Sequence, residues 1–281
     1  MLFSSDQSKV LIEVILVQAK NWIPELEELA IIAGKIIQRG FESTKTVHEK
    51  SSAMDIVTEF DTEVENVLRK EINTRYPDHL VLGEEEEFRT QGGFGAYLPR
   101  KGYVWVIDPI DGTLNFASGI PLLAVSIALF HEGELLAGVV YNPIIKEMFS
   151  AQKGAGATLN NQVIKVKKDS GLARAIVAVS VARRKKDLEL SRLADKVGGM
   201  RALGTAAVAL AYVAAGRLDA YWEVNLNLWD VAAGVLLVEE AGGEVMIPNQ
   251  EREYPVKIAE IIGAGNKPKR YLNVLKSKNS E

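Results

Sequence analysis

The chain of 281 residues contains no cysteine at all. Disulfides, thiolate zinc or iron–sulfur sites and a cysteine nucleophile are therefore excluded. Histidine is nearly as scarce: His48, His79 and His131 stand far apart, with no HxxxH-type spacing. Any metal must then be held chiefly by oxygen, which favours a hard cation such as magnesium. A strong charge of one sign is also missing, since 33 Lys and Arg face 37 Asp and Glu for a net −4. Broad nucleic-acid binding wants a basic face, and nothing here suggests one. Taken over the whole chain, the slight acidity even reads as unwelcoming to phosphorylated ligands, although net charge says nothing about a single cleft. Long apolar runs are absent too. Ala206–Ala215 is apolar but well short of the ~20 residues that span a bilayer, so it reads as a core helix. Near the start, Asp6, Lys9 and Glu13 break the apolar character of Val10–Val17, and no clear small-residue cleavage site follows. The expectation is a cytoplasmic protein without membrane attachment.

What is present is ordinary core material: 47% hydrophobic and 25% charged residues, enough for one large domain or two smaller ones. From Pro24, Leu26, Leu29, Ala30, Ala33, Ile36 and Ile37 recur at helical spacing, with Gly40 read as the stop. A second helix is expected from Thr58, where Thr58 and Asp61 form a capping pair. Apolar runs at Leu80–Leu82, Tyr103–Ile107, Ala124–Phe130, Leu135–Tyr141 and Lys146–Ala151 alternate with turn residues and predict an antiparallel meander. After about Gly156 the rhythm changes to strand–helix alternation. Strands are expected at Ala175–Ser180, Leu218–Glu223, Glu244–Ile247 and Glu260–Gly263, and helices at Leu188–Val197, Thr205–Ala215 and Asp230–Ala241. The reading is an extension over residues 1–24, an α+β half with an antiparallel sheet over 25–155, and an α/β half over 156–281. The halves are expected to pack as one functional unit.

The chemistry concentrates in four acidic segments. In Val104-Trp-Val-Ile-Asp108-Pro-Ile-Asp111-Gly-Thr113-Leu-Asn-Phe116, an apolar strand runs into two carboxylates three residues apart and then a helix start. The amides of Gly112 and Thr113 suit an anion there; the bland alternative is a turn capped by Asp, common for Asp-Gly. Gly83-Glu84-Glu85-Glu86-Glu87 follows a strand in the same way, which places Glu84 where fixed ligands are built, whereas a solvated face would explain the other acids. Asp230, in Leu228-Trp-Asp230-Val-Ala-Ala-Gly234, reads as a helix N-cap, and a helix N-terminus also favours an ionised carboxylate. In Asp55-Ile-Val-Thr58-Glu-Phe-Asp61, an acid beside a hydroxyl has the makings of a general base.

Together and in this order, Trp105–Phe116, Trp229–Gly243, Gly83–Glu85 and Asp55–Asp61 resemble the inositol monophosphatase family, magnesium-dependent and lithium-sensitive sugar-phosphate phosphatases. The resemblance runs from about Leu29 to near the C-terminus and implies a layered αβαβα sandwich and a homodimer. It implies one magnesium ion on Glu84, Asp108 and the Ile110 carbonyl, a second on Asp108, Asp111 and Asp230, and a third assisted by Glu84. Asp61 and Thr113 would orient and deprotonate the attacking water, Gly112 and Thr113 would hold phosphate oxygens, and Gly204, Thr205, Ala206 and Glu223 would meet the sugar or inositol ring beside Asp111. The implied reaction is hydrolysis of myo-inositol-1-phosphate by direct water attack. Two residues separate Asp108 from Asp111, unlike the Asp-x-Asp of haloacid-type phosphatases with their phosphorylated aspartate. Departures widen the substrate question: Glu86 stands where many relatives have Ser or Thr, and Asn227 where animal inositol enzymes often have His. Arg183-Arg184-Lys185-Lys186 is either a solvated loop or a contact for a second phosphate. Fructose-1,6-bisphosphate, histidinol phosphate, NADP and 3′-phosphoadenosine phosphates are the alternative substrates, and a silent binding protein of the same fold is the alternative class.

Overall fold

Leu26, Leu29, Ala30, Ala33 and Ile37 line the buried stripe of the first helix, α1 (Ile23–Phe41), with Pro24 in its first turn. The computed structural model describes residues 20–43, 46–52, 55–90, 98–169, 171–180, 187–248 and 255–277. Gly40 does not stop α1, which runs on to Phe41. A Cβ at Gly40 would lie 2.7 Å from the Phe60 ring and 2.8 Å from Phe116, so this glycine is there to let two rings approach. Strands β1 (Val47–Ser52) and β2 (Asp55–Thr58) form an antiparallel hairpin absent from the sequence reading. Helix α2 (Glu59–Arg75) follows directly, with Thr58 as N-cap and Asp61 completing the capping box as expected.

The large sheet holds β3 (Leu80–Gly83), β4 (Tyr103–Asp111), β5 (Ala124–His131), β6 (Glu134–Asn142), β7 (Glu147–Gln152), β8 (Gly156–Leu159) and β9 (Gln162–Val163), in that spatial order. Between the first two strands lies the short helix α3 (Glu84–Thr90), and after β4 comes the shorter α4 (Thr113–Ala117). The meander is antiparallel except at its edge, where β3 pairs parallel to β4. The sheet continues past residue 155, where the boundary between halves was expected, through Val163. Its strands are only four and two residues long there, too short for hydrophobic alternation to announce them.

The second sheet has the order β11 (Gly199–Arg201), β10 (Ile176–Val179), β12 (Ala220–Asn227), β14 (Lys257–Ala264) and β13 (Glu244–Met246). Its first three strands run parallel, and β14 runs antiparallel to both neighbours. The remaining helices are α5 (Asp187–Ala194), α6 (Ala206–Ala214), α7 (Leu228–Glu240) and α8 (Pro268–Lys276). The last was not expected; the sequence reading closed the chain on strands.

Five layers result. Along β4, Trp105 and Ile107 pack with α1 and α2, while Val104 and Val106 face α6 and α7; this two-residue alternation buries both faces and explains the unbroken apolar run. Helices α6 and α7 form the middle layer and are apolar on nearly every side, as a helix between two sheets must be, with α7 carrying charge only near its ends at Asp230, Glu239 and Glu240. Gly234 of α7 lies against Leu210 of α6, where a Cβ would come within 2.6 Å. The outer face of the second sheet is covered by Leu193 of α5 and by Tyr271 and Leu275 of α8. The order is α1/α2, large sheet, α6/α7, small sheet, α5/α8, the αβαβα sandwich. At its near edge Trp22 is 3% exposed among Tyr76, Tyr103 and Trp105, so the end of the segment read as an extension belongs to the core. Residues 1–19 and the basic run 183–186 lie outside the described residues.

Candidate functional site

Strand β4 delivers two acids because it ends irregularly. Asp108 pairs with Ser126 and Asp111 with Ala124, so three steps on β4 oppose two on β5, a bulge with Pro109 inside it. Proline has no N–H for the ladder, and a bulge is where a strand tolerates that loss and re-aims its side chains. Asp108 is 2% exposed and Asp111 8%. Gly112 then takes φ +93°, a left-handed conformation that glycine adopts without strain, and packs 3.0 Å (as a virtual Cβ) from the Leu122 carbonyl.

Asp61 arrives from the first turn of α2. Its Oδ2 accepts from the Thr58 amide at 2.8 Å and the Thr58 hydroxyl at 2.5 Å, and its Oδ1 accepts from the Thr113 hydroxyl at 3.0 Å. The same hydroxyl lies 3.0 Å from the Ile110 carbonyl. Burial raises the Asp61 pKa to about 6 against the pull of the Thr58 bonds, and the Glu84 charge raises it further. The expected Asp61–Thr113 pair is therefore assembled across 52 residues of chain.

Asp111 points at the N-terminus of α6. It accepts from the Thr205 hydroxyl, from Ala207 N at 2.6 Å and from Ala206 N at 3.3 Å. Thr205 is the N-cap of α6 and also accepts from Val208 N. Burial lifts the Asp111 pKa to about 7 despite these bonds, and Glu223 pushes it the same way. Asp230 corrects the sequence reading in a useful way. It is not the N-cap of α7: that is Asn227, and Asp230 is the third residue of the helix, its Oδ2 accepting from Asn227 N at 2.7 Å. Desolvation of this half-buried carboxyl group drives its pKa well up, with Glu84, Asp111 and Glu223 adding repulsion. Glu223 takes the Tyr221 hydroxyl at 2.6 Å.

Glu84, Asp111, Glu223 and Asp230 thus act on one another through their charges. Carboxylates clustered in this way attract positive charge. Among the described residues no three acidic or histidine side chains close into a coordination cage; the Asp111 and Asp230 carboxylates are turned onto helix amides. The donors at hand are carboxylates and the Ile110 carbonyl, oxygen only, and that set fits a hard divalent cation such as magnesium.

Two residues escaped the sequence reading. Asn115 donates from Nδ2 to Leu122 O at 2.7 Å and to Leu203 O at 2.8 Å, pinning the loop before α6 to α4. Glu65 is fully buried on α2. Its signal was in the sequence: an acid four residues after Asp61, between Val64 and Leu68 on an apolar face.

The sequence model described as the inositol monophosphatase family matches residues 18–279. The chain belongs to the inositol monophosphatase family. It is 41% identical over 223 residues to the protein named Nus factor SuhB of Pseudomonas aeruginosa, covering 76% of this chain and 80% of that one. Against an inositol-1-monophosphatase of Rhizobium meliloti it is 37% identical over 218 residues, 75% of this chain and 79% of the relative. The solved Thermotoga maritima IMPase superposes with a TM-score of 0.78 at 30% identity, covering 88% of this chain and 94% of that one. The family is one of phosphatases acting on phosphorylated sugars and polyols, generally with magnesium, and the αβαβα fold agrees with it. Among the described residues no helix is long and apolar enough to cross a membrane.

Proposed function

We propose that the chain hydrolyses myo-inositol-1-phosphate, with two or three magnesium ions, by direct attack of water. The observation that carries this reading is the Thr113 hydroxyl bonded to Asp61 beside the mutually repelling acids. Glu84, Asp108, the Ile110 carbonyl, Asp111 and Asp230 would hold the magnesium, which supplies positive charge to the phosphate oxygens, the water and the departing alkoxide.

The protein's own part is proton handling and orientation. A water placed at Thr113 gives a proton to Oγ1 as Thr113 passes its own to Asp61 Oδ1. The water oxygen bonds to phosphorus as the bond from phosphorus to the inositol oxygen breaks; the leaving oxygen takes a proton from a solvent water, and Asp61 returns its proton to the hydroxide so formed. Burial raises the Asp61 pKa to about 6, toward neutrality, which makes it a stronger base than an ordinary carboxylate. The amides of Gly112 and Thr113 hold phosphate oxygens at the start of α4. Ring hydroxyls donate to Glu223 and Asp111, against the Gly204–Ala206 turn that starts α6. We place the enzyme in the cytoplasm as a homodimer, with lithium as an inhibitor.

A phosphate-release screen with magnesium tests this across inositol 1-phosphate, fructose-1,6-bisphosphate, histidinol phosphate, NADP and 3′-phosphoadenosine phosphate. Inositol 1-phosphate should give the highest kcat/KM, with loss of turnover in EDTA and inhibition by lithium. No release from any ester would sink the phosphatase reading, and a preference for the bisphosphate would move it to the dual-specificity alternative.

A further inference from the structure

Glu65 has no exposure to solvent, and a carboxylate so placed persists only when partners replace its water. Those partners are the two backbone amides that follow Glu84 and one arginine on the same helix. Oε2 accepts from Glu85 N at 2.7 Å, and Oε1 from Glu86 N at 2.9 Å and Arg69 Nη2 at 3.1 Å. Arg69 turns Nη1 to the Val81 carbonyl at 2.9 Å, in the strand that leads to the same point. Gly83 completes the bracket, since any Cβ there would collide with the Glu65 carboxyl group. The first amides of a helix have no partner within it; in α3 they are taken by a side chain twenty residues earlier in the chain.

We infer that Glu65 is a positioning residue that sets Glu84 against Asp61. The inference rests on the function proposed above only in giving Glu84 to magnesium. Helix α2 carries Asp61 and Glu65 four residues apart, hence on one face. One rigid element therefore fixes the Asp61 carboxylate, through Glu65 the backbone just after Glu84, and through Arg69 the strand before it. The two acids are close enough for the Glu84 charge to act on Asp61. A Gln at 65 keeps the shape but offers an amide N–H toward donors, so one arm of the bracket is lost.

The test compares the full-length wild type with Glu65→Gln and Gly83→Ala. In the wild type, amide exchange at Glu85 and Glu86 should be slow, as for amides held by buried acceptors. In Glu65→Gln those amides should exchange faster while α1 and α7 are unchanged. The magnesium concentration for half-maximal thermal stabilisation, read with the metal alone, should rise about tenfold or more. The concentration for half-maximal phosphate release should rise with it, while KM for the ester at saturating magnesium stays within about threefold. A purely structural role would lower Tm and leave magnesium half-saturation alone, and that result in a folded variant overturns the inference. Should Glu65→Gln fail to fold, Gly83→Ala carries the same readouts. Should both fail, the wild-type exchange decides: slow amides at Glu85 and Glu86 support the bracket, and unprotected ones overturn it. If the wild type hydrolyses no ester, the phosphatase reading falls, and magnesium-dependent stabilisation still decides the role of Glu65.

Discussion

Asn115 reaches across 88 residues of sequence to donate to the Leu203 carbonyl at 2.8 Å, and with its other N–H to Leu122 at 2.7 Å. One amide group thus joins the turn after β4, where phosphate is expected, to the turn before α6, where the ring is expected. Gly204, at φ +72°, packs against the same side chain, with a virtual Cβ 3.0 Å from Nδ2.

Replacing Asn115 by Ala leaves two carbonyls without their donor. The loss should be about 1–3 kcal/mol of stability, measured by denaturant unfolding. Asn115→Asp should cost more, because a carboxylate would then face both carbonyls. In steady-state kinetics either change should raise KM, since the two turns lose their common brace. An unchanged midpoint in Asn115→Ala would contradict the bracing role.

Thr113→Val removes the hydroxyl that links Asp61 to the site while keeping the side-chain volume. We expect kcat to fall by about 10²–10⁴-fold, the usual contribution of general acid–base groups. The fold should survive, because Thr113 lies in the five-residue helix α4 and is partly exposed. Circular dichroism checks the fold and initial-rate kinetics the chemistry; near-wild-type kcat would remove Thr113 from the mechanism.

His79 makes stability depend on pH. It stacks between Tyr76 at 4.7 Å and Tyr103 at 4.3 Å, and its Nδ1 accepts from Trp105 Nε1 at 3.0 Å. Burial first, and the charge of Lys20 second, lower its pKa from 6.5 to about 4; Asp78 opposes the shift and His131 adds to it. The unfolded chain therefore binds this proton more readily than the folded one. The stabilising contribution is present above pH 6.5 and is lost as pH falls toward 4. Thermal unfolding across that window should show a steeper acid decline in the wild type than in His79→Gln. Parallel curves would show that His79 carries no part of the dependence.

Gly40→Ala sets two local effects against each other. Alanine favours a helix interior by about 1 kcal/mol over glycine. The new methyl would sit 2.7 Å from Phe60 and 2.8 Å from Phe116, and overpacking of that kind costs about 1–3 kcal/mol. The clash should win, and Tm should drop. A rise in Tm would mean the two rings can move aside.

Much of the site was legible in one dimension. The capping pair Thr58–Asp61, the strand that carries Asp108 to Asp111, and the helix that begins at Asp230's segment are all written in local patterns. Such patterns report interactions within a turn or two of chain, where spacing alone decides which groups can meet. That same locality misled at Gly40 and Asp230, whose stop and N-cap readings followed from residue type. The actual neighbours, Phe60 and Phe116 for one and Asn227 for the other, come from packing and from where the helix begins.

Composition determined that any metal site here is built of oxygen, because no thiol and few imidazoles exist to compete. The net −4 pointed away from phosphate, and it pointed wrongly in kind, since the acids that matter are clustered rather than spread. Sequence also determined which acids were candidates, through four short motifs. Only the tertiary structure decided how they are aimed: Asp111 onto α6, Asp61 onto Thr113, and Glu65 around Glu84. The physical reason is that a buried carboxylate must find donors wherever packing brings them, and beside local donors such as Thr58 and Arg69 these acids use donors 20 to 96 residues away. No local pattern encodes a partner at that distance; the five stacked layers supply it.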